Sequence, residues 1–246
     1  MCGRFVSASP PDELARYFGA SVLDETLATG EAGETAFEPR FNVAPSATVL
    51  AVLERDDPDA GLDRRVEALH WGLIPFWAKD KKIGNKMFNA RSETLASKRA
   101  FARSFAKRRC LIPVDGFYEW QRVDDAKQPV FIHRVDGDPF AFAGIWESWR
   151  GPDRSDEPLR SCSIITGEPN TKMADYHNRM PVMLAPEAWE QWLDPSYDDL
   201  AELEKLFVPA PSELLEIYPV STAVNNARNT GSQLADRLEP ATEAGS

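Results

Sequence analysis

Cys2 stands directly behind Met1, and its chemistry depends on whether that methionine stays. With Met1 removed, Cys2 carries a free amine and a thiol on adjacent carbons. An α-amine titrates near ~8 and a thiol near ~8.5, so both nucleophiles are partly available at neutral pH. The amine can form an imine with an aldehyde, and the thiol can then close onto the imine carbon as a five-membered thiazolidine. Alternatively, the amine can serve as base for its own thiol. Cys2 is small, which makes loss of Met1 sterically reasonable. The plainer reading is a cysteine at an arbitrary start position, and only partners elsewhere in the chain separate the two.

Four short segments concentrate candidate partners. In Cys2-Gly3-Arg4, Gly3 lets the backbone approach a ligand closely and Arg4 can pair with an anion. Arg40-Phe41-Asn42-Val43-Ala44-Pro45 and the later Trp71-Gly72-Leu73-Ile74-Pro75-Phe76-Trp77 set aromatic rings beside glycine and proline, as a base-stacking loop would. Trp71 reads as core, whereas Trp77 follows a proline in a loop and reads as exposed. In Phe88-Asn89-Ala90-Arg91-Ser92-Glu93, Asn89 can orient an amine or a sugar oxygen, and Arg91 offers a forked phosphate contact. Lys98, Arg99, Arg103, Lys107, Arg108 and Arg109 follow, a run that a solvated helix face also explains. Finally, Gly116-Phe117-Tyr118-Glu119-Trp120 and His177-Asn178-Arg179-Met180-Pro181 supply a carboxylate in an aromatic strand and an imidazole. Partial burial would raise Glu119 toward the range useful for proton transfer, and His177 can exchange a proton near neutral pH. Each alone is equally a structural residue. With Cys2 they make a nucleophile, a carboxylate and an imidazole, though spacing does not show that they meet.

The elements that must position these groups follow from pattern. Ser9-Pro10-Pro11-Asp12-Glu13 reads as a helix start with Ser9 as cap, ending near Phe18-Gly19. Residues 21–39 read as a surface excursion. Strands are expected at 48–53 and 65–69, then a basic amphipathic helix over 97–108 with Phe101 and Phe105 at helical spacing. Further strands are expected at 110–112, 116–122, 130–135, 140–147 and 161–166, helices at 186–193 and 198–207, and a late strand at 214–220. Strands and helices mix without βαβ alternation. That order predicts one α+β domain over residues 2–230, with a curved, largely antiparallel β core and peripheral helices. Periodicity leaves open whether the sheet closes into a barrel. Residues 231–246 read as a flexible tail, frayed after Leu234.

Composition narrows the class. The chain has 246 residues, 43% of them hydrophobic, with seven tryptophans, enough for a substantial core. No apolar run approaches the ~18 residues of a membrane span, and the first residues lack a signal-peptide pattern. Three scattered cysteines, Cys2, Cys110 and Cys162, argue against a disulfide scaffold and for a reducing cytoplasm. His70, His133 and His177 are scattered too, so neither metal nor cofactor is expected. The net charge of −11, with arginine in excess of lysine, argues against a generic nucleic-acid coat but leaves room for a local basic groove. An acidic, lysine-poor surface also fits a salty cytoplasm.

The segments around Cys2, Arg40, Trp71, Asn89, Phe117 and His177 occur in the order found in the SRAP (SOS response-associated peptidase) family, and the chain resembles that family from Cys2 to about Asn229. The resemblance implies a monomeric sensor of abasic sites in single-stranded DNA. The ring-opened abasic sugar supplies the aldehyde, and Cys2 captures it as a thiazolidine DNA–protein crosslink. By the same resemblance, Asn89 orients the Cys2 amine. Glu119 assists proton transfer, Met1 removal and crosslink reversal. His177 acts as acid and base on the sugar and imine. Arg4, Arg91, Arg99 and Arg179 hold phosphates, Trp77 stacks on a base, and Gly3 and Asn42 join the DNA contacts. One departure is Trp77-Ala78 where relatives can carry two tryptophans, which leaves a smaller stacking wedge. Three rivals remain: an N-terminal-nucleophile amidohydrolase, since glutamine amidotransferases of one class also begin Met-Cys-Gly; a cysteine peptidase pairing Cys2 with His177; and a non-covalent single-strand reader that needs no Cys2.

Overall fold

A computed structural model describes residues 2–23, 38–57, 61–124 and 126–239. Among these the chain forms β1 (Phe5–Ser7), α1 (Pro11–Phe18), β2 (Val22–Leu23), β3 (Arg40–Val43), β4 (Thr48–Asp57), β5 (Gly61–Trp71), β6 (Asn89–Arg91), α2 (Ala102–Lys107), β7 (Arg109–Val114) and β8 (Gly116–Val123). It continues with β9 (Ala126–Arg134), β10 (Phe140–Trp149), β11 (Leu159–Gly167), α3 (Thr171–Ala174), β12 (Met180–Pro181), α4 (Trp189–Leu193), α5 (Leu200–Glu204) and β13 (Leu215–Pro219). The expected α+β class holds. Most of the predicted excursion over 21–39, the tip of the acidic β4–β5 turn and residues 240–246 lie outside the described residues.

The strands divide into a five-stranded sheet, β13-β9-β8-β1-β3, and an eight-stranded sheet, β12-β11-β10-β7-β4-β5-β2, with β6 beside β11. Pairing is antiparallel except where β6 and β5 meet β11 and β2 meets β5. The larger sheet curls until Ser161 and Cys162 of β11 lie opposite His70 and Trp71 of β5. The expected curvature is present, and β5 meets β11 only through that short parallel pairing. The chain passes between sheets at Asp115, from β7 straight into β8.

Strand alternation sorts the core. Cys110, Ile112 and Val114 of β7 and Phe140 and Phe142 of β10 face the space between the sheets, where they meet Phe5, Phe117, Val130 and Ile132 of the smaller sheet. Their neighbours Leu111, Ala141, Ala143 and Ile145 face the other way, onto Phe18 of α1, Phe105 of α2 and Trp189 and Trp192 of α4. Gly116 is fixed by packing: a Cβ there would come within 2.2 Å of the Phe131 ring. No helix among the described residues is long and apolar enough to cross a membrane.

Several local expectations are corrected. Ser9 does not cap α1; the cap position is Pro10, and Ser9 and the Ala8 backbone turn to Asp115 instead. The helix does close with Gly19 at φ +63°, a left-handed conformation suited to glycine. The helix expected over 97–108 is helical only in α2, because the Lys98 carbonyl accepts from both Phe101 and Ala102 in a turn first. Arg109 is no solvated cation. It is buried and donates to the carbonyls of Phe105, Ala106 and Trp192, fastening α2 to α4. The tail is not frayed at Leu234. That residue is buried, Val220 pairs with Arg237, and the Leu238 N–H donates to the Pro219 carbonyl at 2.9 Å.

Candidate functional site

The N-terminus is threaded into the core by β1. Phe5 pairs with Phe117, and the Tyr118 N–H donates to the Arg4 carbonyl at 3.0 Å. Continuing that antiparallel register brings Gly3 level with Glu119. Cys2 is 0% exposed and packs among residues of both sheets. From the other side Asn89 opens β6, which runs parallel to β11 with Asn89 opposite Ile164. Its Nδ2 donates to the Cys2 carbonyl at 2.7 Å. The Asn89 Oδ1 is buried and accepts no hydrogen bond from the described residues. Alternation sends Ala90 into the helix-side core and leaves Asn89 and Arg91 on the opposite face, with Arg91 exposed. Phe88, just before Asn89, is anchored by its carbonyl to Trp71 Nε1 at 2.9 Å, so Trp71 is core as expected.

Glu119 on β8 is 3% exposed. Burial raises its carboxyl above the usual range, while the charge at the chain's N-terminus and His177 pull the other way. The Cys2 thiol is likewise pushed up, by burial first and by the Glu119 charge second. Glu119 is thus within electrostatic reach of both Cys2 and His177. His177 follows α3, whose single turn is fixed by Asn170, which accepts from the Met173 N–H at 2.8 Å and donates to the Ala210 carbonyl at 2.7 Å. The Arg179 N–H lies 3.0 Å from His177 Nδ1, and the Arg179 carbonyl lies 3.2 Å from the same atom. Both contacts hold the His177 ring against the backbone of its own turn.

The polar residues expected to meet DNA divide. Arg179 is forked on Glu93, with N–O distances of 2.6 and 2.8 Å, and its Nε reaches Thr166 Oγ1 at 3.3 Å. That fork holds the Glu93 carboxyl down at about 2. Arg99 lies over the Trp77 ring, 5.0 Å from its centroid, which brings two residues from separate segments together. Arg4 and Asn42 also make bonds within the protein. Arg4 Nη1 donates to Asn42 Oδ1 at 2.6 Å and to the Val224 carbonyl at 2.7 Å. Asn42, 8% exposed, donates through Nδ2 to the carbonyls of Asn226 and Asn229, both at 3.0 Å. The pair clamps the loop after β13, and Asn42 has both ends of its amide occupied.

Residues 1–227 match the sequence profile described as SOS response associated peptidase (SRAP). The chain belongs to the SRAP family. It is 41% identical over 237 residues to the abasic site processing protein YoqW of Bacillus subtilis (strain 168), covering 96% of this chain and 99% of that one. It is 32% identical to the abasic site processing protein YedK of Escherichia coli (strain K12), covering 95% and 98% of the two chains. Against the abasic site processing protein HMCES of Xenopus tropicalis the identity is 31%, over 93% of this chain and 76% of that one. Among solved structures, a protein from Bacteroides thetaiotaomicron superposes with a TM-score of 0.81 at 25% identity, covering 97% and 100% of the chains.

In this SRAP domain the sheets, rather than any local motif, assemble the site. Glu93 escaped the sequence reading as the partner of Arg179, although its place within the Asn89 to Thr94 segment was a signal. Asn226 and Asn229 gave none, because they act through backbone carbonyls. Among the described residues no group of three or more His, Cys, Asp or Glu side chains gathers to hold a metal ion. What the arrangement offers is a buried sulfur near a buried carboxyl whose pKa is raised, with an imidazole coupled to that carboxyl.

Proposed function

We propose that this chain recognises abasic sites in single-stranded DNA and captures them through Cys2 as a thiazolidine crosslink, after an autopeptidase step removes Met1. The observation that carries the reading is the Asn89 bond to the Cys2 carbonyl, made beside a buried Glu119 coupled to both Cys2 and His177. The relatives named as abasic site processing proteins support the substrate. Water hydrolyses the Met1–Cys2 peptide bond and frees the amine. The abasic sugar opens as its C1′–O4′ bond breaks, the C1′ hydroxyl losing its proton to form the aldehyde while His177 protonates O4′. The amine adds to the C1′ aldehyde and water leaves as the protonated imine forms. Sulfur then bonds to C1′ as the C=N π pair moves onto nitrogen, the thiol proton passing to Glu119 or His177, and the ring closes with one water lost overall. Reversal runs the same steps backwards. Arg91, Arg99 and Arg179 hold phosphates, Trp77 stacks, and Gly3 allows the sugar close to the backbone. The chain acts as a monomer in the cytoplasm, and its three free, buried cysteines fit a reducing compartment.

A peptidase that attacks as a preformed thiolate needs a depressed thiol pKa, and burial here drives it upward. The test mixes protein lacking Met1, verified by intact mass, with single-stranded DNA bearing one abasic site. A denaturation-resistant adduct is expected. Cys2→Ala should abolish it, and Cys2→Ser should leave at most a labile imine. Absence of adduct from the processed wild type, or glutamine hydrolysis without DNA reactivity, refutes the reading.

A further inference from the structure

A second cationic feature lies beside Trp77. Arg103, Arg108, Arg150 and Arg154 line a hollow of about 160 Å³ with Phe76 and Ser148, and no carboxylate is among its walls. In a chain with 39 acidic and 28 basic residues such a wall is anomalous. Arg108 is ion-paired with buried Glu147. Arg103, Arg150 and Arg154 have no carboxylate partner among the described residues, and all three are exposed. Burial, and then the charges of Arg103 and Arg55, hold the Arg108 guanidinium below its ordinary range, so like charges crowd here, and of the arginines lining the hollow only Arg108 has a carboxylate partner among the described residues.

The surrounding structure keeps them there. Arg103 lies over the Phe76 ring at 4.4 Å from its centroid, and Arg154 approaches the same ring at 5.9 Å. Arg154 adopts φ +60°, uncommon for a residue with a side chain, within a turn closed by the Asp156 N–H donating to the Arg150 carbonyl at 3.0 Å. Phe76 adjoins Trp77 in sequence, and Arg103 stands four residues after Arg99. The Arg99–Trp77 stack is therefore repeated next door as Arg103–Phe76.

We infer that this hollow is a second phosphate-binding site, which grips the backbone of the DNA strand where it passes beyond Trp77. The inference rests on the proposed capture of DNA. The ligand it takes is a phosphodiester. Guanidinium groups already cover Phe76, so the site offers charge rather than a stacking surface, and its grip is independent of base sequence. A free phosphate ester shares that chemistry, and the test separates the two.

The test compares wild type with the Arg150→Gln/Arg154→Gln double variant on three abasic DNAs: one with about three nucleotides on each side, one extended only 5′ and one only 3′. Half-saturating DNA concentration for crosslinking should rise about tenfold in the variant on one extended DNA and stay unchanged on the short one. Crosslink yield at saturation should be equal, which also shows that the variant folds. The log–log salt slope on that extended DNA should shrink by about 1.4, since each single-strand phosphate contact contributes about 0.7. Equal half-saturation and equal slopes on all three DNAs overturn the inference. So does thermal protection of wild type but not variant by deoxynucleoside monophosphate with DNA binding unaltered, which assigns the hollow to a free nucleotide. If no DNA crosslinks at all, the capture reading fails. The same length series read by non-covalent binding of undamaged strands then still decides the hollow.

Discussion

Replacing Glu119 by glutamine should make the protein more stable near neutral pH while slowing its chemistry. Glu119 is 3% exposed, and burial raises its carboxyl above the usual range despite the opposing N-terminal charge and His177. In the unfolded chain a glutamate ionises near ~4.3. As pH climbs past that value, the unfolded state loses its proton while the folded state keeps it. Folding stability therefore falls with rising pH until the folded carboxyl ionises, and stays level above that. The cost is absent below the unfolded pKa and complete above the folded one. Each unit of upward displacement amounts to about 1.4 kcal/mol. Glutamine has nearly the same shape and no charge at any pH. Any hydrogen bond it makes poorly costs the same at both ends of the range. The readout is thus how the difference in melting temperature between variant and wild type changes with pH. It should grow in favour of the variant by about 2–4 °C between pH ~4 and pH ~7.5 for each kcal/mol of carboxylate cost. Thermal melts followed by circular dichroism measure it. Met1 removal or crosslink reversal, measured on the same preparations, should slow by about a hundredfold or more. A melting difference that is flat with pH, or that moves against the variant, refutes the argument from burial. Unchanged kinetics removes Glu119 from the chemistry.

The Cys2 thiol is fully buried and pushed upward in pKa, so iodoacetamide should alkylate it in the native protein at least about tenfold more slowly than after denaturation. Rapid native labelling located to Cys2 by mass spectrometry would contradict that. Asn42→Ala should cost about 2–4 kcal/mol in urea unfolding, because it strands Arg4 and the carbonyls of Asn226 and Asn229 at once. A loss below about 1 kcal/mol would show that the loop finds other partners. Glu93→Gln should release the Arg179 fork and tighten non-covalent binding of single-stranded DNA about threefold, with at most about 1 kcal/mol lost in stability because Glu93 is half exposed. Since the Glu93 carboxyl is held at about 2, its contribution to stability is complete above the unfolded value and fades as pH falls toward 2, which acid titration of both proteins measures. Weaker DNA binding by this variant would mean that Glu93 aligns Arg179 rather than occupying it.

The groups of the site were legible as residue types, and their meeting was not. Cys2, Asn89, Glu119 and His177 come from four separated segments. What joins them is the register of β1 on β8, β6 on β11 and the fastening of α3 by Asn170. Pairings of that sequence separation leave no periodic trace. Local pattern worked where neighbouring residues satisfy one another: α1 ends at Gly19, and β8 and β9 form where two successive strands are expected and pair with each other. It gave no sign of polar side chains that tie the chain to itself: Arg4, Asn42 and Arg109 each hydrogen-bond backbone carbonyls of this chain. The helix over 97–108 was overextended because Phe101 and Phe105 keep helical spacing even when a turn supplies the first of them.

The electrostatics of the proposed site favour one order of events. A thiol whose pKa is raised by burial is a poor first nucleophile. In the proposed reaction the amine attacks first, and sulfur becomes competent only once the imine carbon is beside it and a base takes its proton. Glu119 raises the Cys2 thiol while it is ionised and, being buried, tends to hold a proton itself. Proton transfer from sulfur to that carboxylate removes the charge that disfavoured the thiolate as the new bond forms. In the reverse direction the same carboxyl returns the proton as sulfur leaves. One buried acid can therefore serve both closure and opening of the ring, and the stability it costs in the resting protein is what keeps it able to change protonation state.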